Sequence, residues 1–195
     1  MYTLIDASQK YKKSNSAYFL NIIKNDINSN IFSLKNNNYK DIDKSIKKSD
    51  TIVLAFPIYV DSPPSILLNY MEHLYDNIDL SNKRLYCIIN CGFREGEQNI
   101  IAANIIKNFC YKKNIKYSGS LLIGAGEIIG NNKYNFITKK AHKKLNEFKD
   151  IIKNNKITND IIVSIDYIAN RTYCFLANLS WNKNAKKNNI DLNQY

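Results

Sequence analysis

Along the chain, short runs of consecutive apolar residues alternate with longer stretches in which apolar residues recur three or four positions apart. Tyr2–Ala7, Asn30–Leu34, Thr51–Phe56, Arg84–Asn90 and Tyr117–Ile123 form the first kind and read as strands. Thr51–Phe56 shows no polar alternation, which suits a strand covered on both faces and therefore central in a sheet. The second kind reads as amphipathic helix. Phe19, Leu20, Ile22 and Ile23 follow Ser14-Asn15-Ser16, Ile42 and Ile46 precede Ser49-Asp50, and Pro63-Pro64 leads rigidly into Ser65–Glu72. Ile100, Ile101, Ala103, Ile105 and Phe109 share a spacing within 97–113, as do Ala141, Leu145, Phe148, Ile151 and Ile152 further on.

Strand then helix, repeated in this way, predicts an α/β three-layer sandwich around a five-stranded parallel sheet, because parallel strands need crossover helices that cover both faces. Right-handed crossovers leave few topologies, and the order 2-1-3-4-5 is expected. The alternation ends at Asn159. Ile161-Ile162-Val163 reads as a short extended piece, and Asn170–Trp181 is apolar enough to pack, as a helix over the domain surface or a partner subunit. The expected division is a domain over 1–157 and a C-terminal extension over 158–195.

Composition narrows the setting. A hydrophobic share of 45% in 195 residues is well above the disordered range and sufficient for one core. The net charge of +11 permits anionic partners, but the lysines are scattered through an Asn- and Ile-rich chain without a nucleic-acid-binding motif, so no nucleic acid is expected. Cys87, Cys91, Cys110 and Cys174 make no C-x-x-C pair and no disulfide framework. The N-terminus runs straight into a strand, and the longest apolar runs are too short to span a bilayer. A cytoplasmic protein with no membrane span is expected.

Ligands of open parallel sheets bind beyond the carboxyl ends of the strands, where strand order reverses. Three exit loops there are unusual. Ser8 to Ser16 places hydroxyls, amides and lysines at a helix N-terminus, which suits an anion, although on this loop alone Ser14 as a plain helix cap fits equally well. Pro57 to Ser62 exposes backbone amides, an aromatic and a carboxylate. Asn90 to Gly96 contains two glycines that let backbone approach a ligand.

These loops resemble those of the flavodoxin-like NAD(P)H-dependent FMN oxidoreductases, over roughly residues 1 to 155. Ser8-x-Lys10-x-x-x-Ser14-Asn15-Ser16 looks like the family's phosphate loop, Phe56-Pro57-Ile58-Tyr59-Val60-Asp61-Ser62-Pro63 like its isoalloxazine loop, and Asn90-Cys91-Gly92-Phe93-x-Glu95 like its third flavin loop. The resemblance implies FMN, with Ser8, Lys10, Ser14, Asn15 and Ser16 on the phosphate. It also implies Pro57, Ile58, Tyr59 and Val60 along the ring, with Asn90, Gly92 and Phe93 on its other side. It further implies hydride transfer from NAD(P)H to a small-molecule electron acceptor, in a homodimer, with no protein nucleophile. Ala7, Gln9 and Lys10 depart from the Gly, Pro and Arg common in the family, and Lys10 exchanges a bidentate fork for a point charge. Two other readings share the fold: a flavodoxin-type electron carrier without nicotinamide activity, which the basic charge disfavours, and a degenerate interaction module without flavin.

The remaining chemistry-bearing residues read as structural. His73 and His142 lack metal-spaced partners, Gly124-Ala125-Gly126 lacks the third glycine of a dinucleotide loop and reads as a tight turn, and Cys91 reads as a buried thiol. Asp61 and Glu95 are loop carboxylates, and neither is assigned as catalytic acid or base.

Overall fold

The structure of the chain is a computed structural model that describes residues 1–10, 14–27, 29–131, 138–165 and 169–190. Tyr11, Lys12 and Lys13 of the first exit loop, including two of its lysines, lie outside the described residues. Two compact units divide the chain at Ser164. Among its described residues the second, Ile165–Tyr195, contains one helix, Asn170–Lys187, with Lys186 and Lys187 in its last turn, where cations complement the helix dipole.

In the first unit the strands are β1 (Tyr2–Asp6), β2 (Ile31–Ser33), β3 (Thr51–Pro57), β4 (Arg84–Asn90), β5 (Lys116–Ile123) and β6 (Ile161–Val163). The helices are α1 (Asn15–Lys24), α2 (Tyr39–Lys48), α3 (Ser65–Asn77), α4 (Ile100–Lys112), α5 (Gly126–Asn131) and α6 (Lys139–Lys153), and a 3₁₀ turn, Gly96–Asn99, leads into α4. The sheet order is β2-β1-β3-β4-β5-β6, parallel throughout. This corrects the expected five strands to six. Ile161–Val163 pairs with Leu121–Ile123 and extends the edge, a pairing three residues cannot announce by periodicity.

Parallel pairing buries both faces, and alternate residues of each strand serve opposite helix layers. Ile5, Leu54, Phe56, Cys87 and Ile89 belong to one core with Ile42 and Ile46 of α2, Leu67, Tyr70 and Leu74 of α3, and Ala103 and Ile106 of α4. On the other face Tyr86 meets Phe148 of α6 edge-on at 6.0 Å, and Tyr18 of α1 hydrogen-bonds His142 of α6 at 2.7 Å. His142 Nδ1 lies 2.9 Å from the Thr138 carbonyl, a structural use of that histidine. Phe19, Leu20 and Ile23 of α1 are fully buried. α1 is thereby held with its N-terminus at the carboxyl ends of the strands.

His73 joins a separate cluster on the α2–α3 side. Asp43 accepts from Tyr70 Oη at 2.9 Å and pairs with His73 Nε2 at 2.8 Å, while Tyr39 packs on both rings. No group of three or more potential metal ligands occurs among the described residues, and no helix there is long and apolar enough to cross a membrane.

Candidate functional site

The site begins at the end of β1, where Asp6 is 5% exposed. Its carboxylate accepts the Ser8 N–H at 3.0 Å and the Ser14 hydroxyl at 2.9 Å. Ser14 in turn caps α1 by accepting the Ala17 N–H at 2.9 Å. Burial raises the Asp6 carboxyl above its ordinary range, opposed by these hydrogen bonds to Ser8 and Ser14. Ser14 is therefore a cap, and its hydroxyl proton faces inward. Ser8 is different: its Oγ is buried and makes no hydrogen bond of normal geometry, although it lies close enough to the Asp6 carboxylate to help stabilise its charge. Lys35 Nζ donates to the Gln9 carbonyl at 2.7 Å, and Gln9 Nε2 donates to Ser65 Oγ at 3.3 Å, which ties the first loop to α3.

The second loop follows β3. Pro57 ends the strand in register with Asn90, and Ile58 N–H donates to the Asn90 carbonyl at 2.9 Å. Tyr59 and Ser62 then exchange both backbone hydrogen bonds, at 3.0 and 3.1 Å, around Val60 (φ 50°) and Asp61 (φ 58°). Both central residues have positive φ, the geometry of a type I′ turn that normally selects Asn or Gly. A β-branched residue there is strained.

Asn90, at the end of β4, fastens the loops together. Its Nδ2 donates to Phe56 O at 3.0 Å and to Ser16 Oγ at 3.3 Å, so it bridges β3 and α1. A Cβ on Gly126 would stand 2.7 Å from Asn90 Oδ1, and one on Gly130 would collide with Asn15 Oδ1. Both helix α5 positions must be glycine for α5 to approach so closely. Cys91 donates its N–H to Ile123 O and accepts from Gly126 N–H at 2.9 Å, and Asn99 Nδ2 lies 3.5 Å from its sulfur. Burial pushes the Cys91 thiol up to about 11, and hydrogen bonding from the Phe93 backbone and from Asn99 Nδ2 opposes this only partly. It is a neutral, structural thiol at neutral pH.

These loops enclose one cleft at the carboxyl ends of β1, β3 and β4. Ser8, Lys10, Ser14, Asn15 and Ser16 line one side, Pro57, Ile58 and Tyr59 a second, and Asn90, Cys91 and Gly92 a third. Two anticipated residues are not in its wall. Val60 is 97% exposed at the turn tip, and Phe93 is 59% exposed beyond Gly92. Glu127, in the first turn of α5, joins the lining. It was not anticipated: Gly124-Ala125-Gly126 reads as a tight turn, and nothing in the sequence tells that this turn, with Ala125 at φ 52°, brings Glu127 to the cleft. Asp6 was also missed: it underlies the first loop, and a lone carboxylate at a strand end makes no pattern. Glu95 is paired with Arg94 at 2.8 Å, and Asp61 lies on the turn tip, so neither points to acid–base duty.

The donor set suits a phosphate. Ser8 Oγ makes no hydrogen bond of normal geometry, Ser16 Oγ accepts from Asn90 and keeps its own proton, and Lys10 brings a positive charge. The far side, with Ile58 and the half-exposed Tyr59, suits a flat apolar ring.

No family model matches the chain, and no curated protein matches it. Solved structures do. An NADPH-quinone reductase from P. pentosaceus superposes with a TM-score of 0.62 at 17% identity, over 78% of this chain and 96% of that one. The flavodoxin 2 of Bacillus cereus gives 0.59 at 15% identity, over 80% and 99%. An NADH:FMN oxidoreductase gives 0.57 at 13%, over 81% and 91%. Identities this low speak for the fold alone, and the fold is that of a flavodoxin-like α/β protein.

Proposed function

We propose that this chain is an FMN-dependent oxidoreductase that passes a hydride from NAD(P)H, through bound FMN, to a quinone, a flavin or another small electrophilic acceptor. The observation that carries the reading is the convergence of three exit loops on one cleft whose phosphate-side wall holds a buried hydroxyl, Ser8 Oγ, without a hydrogen bond of normal geometry. The names of two structural neighbours, an NADPH-quinone reductase and an NADH:FMN oxidoreductase, agree with it.

In this reading Ser8, Ser16 and Lys10 hold the phosphate, Ser14 and Asn15 shape its seat, and Pro57, Ile58 and Tyr59 lie along the ring. Asn90 and Gly92 close the opposite side, and Val60 and Phe93 stand at the rim, where an incoming acceptor would meet them. When bound, FMN supplies the hydride chemistry, and the protein supplies orientation and shielding from water. No side chain is assigned as nucleophile, acid or base. The setting is cytoplasmic and the assembly a homodimer; the buried thiols of Cys87, Cys91 and Cys110 agree with a reducing compartment.

The test is an anaerobic absorbance spectrum of the protein with FMN, before and after NADH or NADPH. Prompt bleaching of the flavin band near about 450 nm is expected. Flavin reduced only by dithionite would indicate a flavodoxin-type carrier, and failure to bind FMN would indicate an interaction module.

A further inference from the structure

A second set of unpaired donors lies at the other end of the sheet. Arg84 opens β4 and Lys116 opens β5, and the two are in register, so their side chains leave the same face of adjacent strands. Like charges side by side on a sheet repel, yet neither residue has an ion-pair partner among the described residues. Arg84 Nη1 is buried and without any hydrogen-bond partner. An orphaned guanidinium donor costs free energy unless an anion meets it.

The two cations share a cavity with Asn82, Asn114 and Ile115. Asn82 and Asn114 both have positive φ, at 64° and 53°, and the Asn82 N–H donates to the Asn114 carbonyl at 3.1 Å, which fixes the two turns against each other. Their side-chain amides make no hydrogen bond among the described residues. Asp50, whose carbonyl accepts the Arg84 N–H, directs its carboxylate to the N-terminal amine at 2.8 Å instead. Lys83 donates to the Ser49 carbonyl at 2.6 Å and does not line the cavity, whose charged side chains are Arg84 and Lys116.

We infer that this cavity binds a doubly charged oxyanion, inorganic phosphate or a phosphomonoester, on the Arg84 fork with Lys116 and the two amides around it. Two cations match a dianion, and a guanidinium presents paired N–H groups at the spacing of phosphate oxygens. The site is separate from the cleft. β4 runs seven residues from Arg84 to Asn90, so the two are roughly 20 Å apart along the strand, and one ligand cannot hold both. It is therefore a second anion site rather than part of the flavin pocket, and it stands whether or not the chain binds FMN.

The experiment is a titration of the ¹⁵N-labelled full chain with inorganic phosphate, at ionic strength held constant with chloride, following backbone and arginine side-chain N–H signals. Saturable shifts at Arg84, Asn114 and Lys116 are expected, half-complete on the order of 1 mM or below. Lys116→Gln, at an exposed side chain that folding does not require, should raise the half-saturating concentration about tenfold. Arg84→Lys should weaken binding less than Arg84→Gln, because it keeps the charge and loses the fork. Signals of Ser8 and Ser16 report phosphate in the cleft separately, so one site can fail without the other. Tighter binding of glycerol 3-phosphate than of phosphate assigns the site to a phosphorylated metabolite, and equal binding assigns it to free phosphate; both uphold it. Shifts still linear on the order of 50 mM, or a response unchanged in both Lys116→Gln and Arg84→Gln, would overturn it.

Discussion

Ser14 gives its hydroxyl proton to the buried Asp6 carboxylate at 2.9 Å while accepting the Ala17 N–H at the same distance, so the residue that caps α1 has no donor left for a ligand. The first turn of α1 would attract a phosphate through its unpaired N–H groups, and an internal carboxylate already lies beside it. The two negative charges compete.

Asp6 should accordingly link ligand binding to pH. Its folded pKa is raised by burial, so in the window between the ordinary carboxyl value and the raised one the folded protein holds more protons than the unfolded chain. Stability falls as pH rises through that window, and a bound phosphate, raising the Asp6 pKa further, takes up a proton. Asp6→Asn removes the charge and frees the Ser14 proton. We expect flavin fluorescence titrations at pH 8 to show FMN bound about tenfold more tightly by Asp6→Asn than by the parent, with the difference narrowing toward pH 5. Equal affinities at both pH values would show that Asp6 does not face the phosphate seat.

Asn90 and Gly126 form one lock. Asn90 joins Phe56 O to Ser16 Oγ, and Gly126 gives Oδ1 its space. Asn90→Ala removes the side-chain hydrogen bonds that join β3 to α1 and should cost about 1–3 kcal/mol in urea unfolding. Gly126→Ala forces the added methyl against Asn90 and should cost a similar amount by overpacking. The double variant should cost less than the sum, since both changes disturb the same contact.

How much of this could be read beforehand varied from element to element. Val53-Leu54-Ala55-Phe56 was legible as a central strand because the apolar run is short, β-branched at its start and closed by Pro57, and lacks the polar alternation of a strand with one wet face. The convergence of the exit loops followed from the parallel order, since the carboxyl ends of β1, β3 and β4 must lie together. β6 was legible only as extended chain, because its pairing with β5 depends on tertiary contact. The loop after Pro57 was legible as a turn, but not its type, because positive φ at Val60 is a conformation that a β-branched residue does not announce. Glu127 reached the cleft through the backbone at Ala125, and no side-chain pattern reports a φ angle.

Val60 should be replaceable with profit to stability. It sits at φ 50° with its side chain 97% exposed, so it contributes strain and almost no burial. Asn tolerates this conformation, and Val60→Asn should raise the unfolding free energy by about 1 kcal/mol, read as a higher urea midpoint at unchanged slope. A lowered midpoint would mean that the side chain packs in solution.

Cys91 should be slow to alkylate despite lining the cleft. With its thiol pushed up to about 11, the thiolate fraction at pH 7.5 is roughly two orders of magnitude below that of an ordinary cysteine. Mass spectrometry after a brief iodoacetamide pulse should find Cys174, which is exposed, modified first and Cys91 intact. The Cys91 rate should climb about tenfold per pH unit over the alkaline range. Cys91→Ala should still allow flavin reduction by NAD(P)H, because no step assigned here uses the sulfur.

Ser8 gives the sharpest contrast between the empty and the loaded protein. Its Oγ is buried without a hydrogen bond of normal geometry, so in the empty protein the hydroxyl is a net cost, and Ser8→Ala, which replaces it by hydrogen, should leave stability unchanged or raise it by up to about 1 kcal/mol. With a phosphate-bearing ligand present the same hydroxyl gains an acceptor, and its removal should weaken FMN binding about tenfold. Thermal unfolding with and without FMN measures both arms on one sample. Opposite signs, a higher Tm when empty and a smaller FMN-induced rise, identify Ser8 Oγ as a ligand donor. A lower Tm in the empty variant, with the FMN-induced rise intact, would make it a structural hydroxyl and remove the main support for a phosphate at this loop.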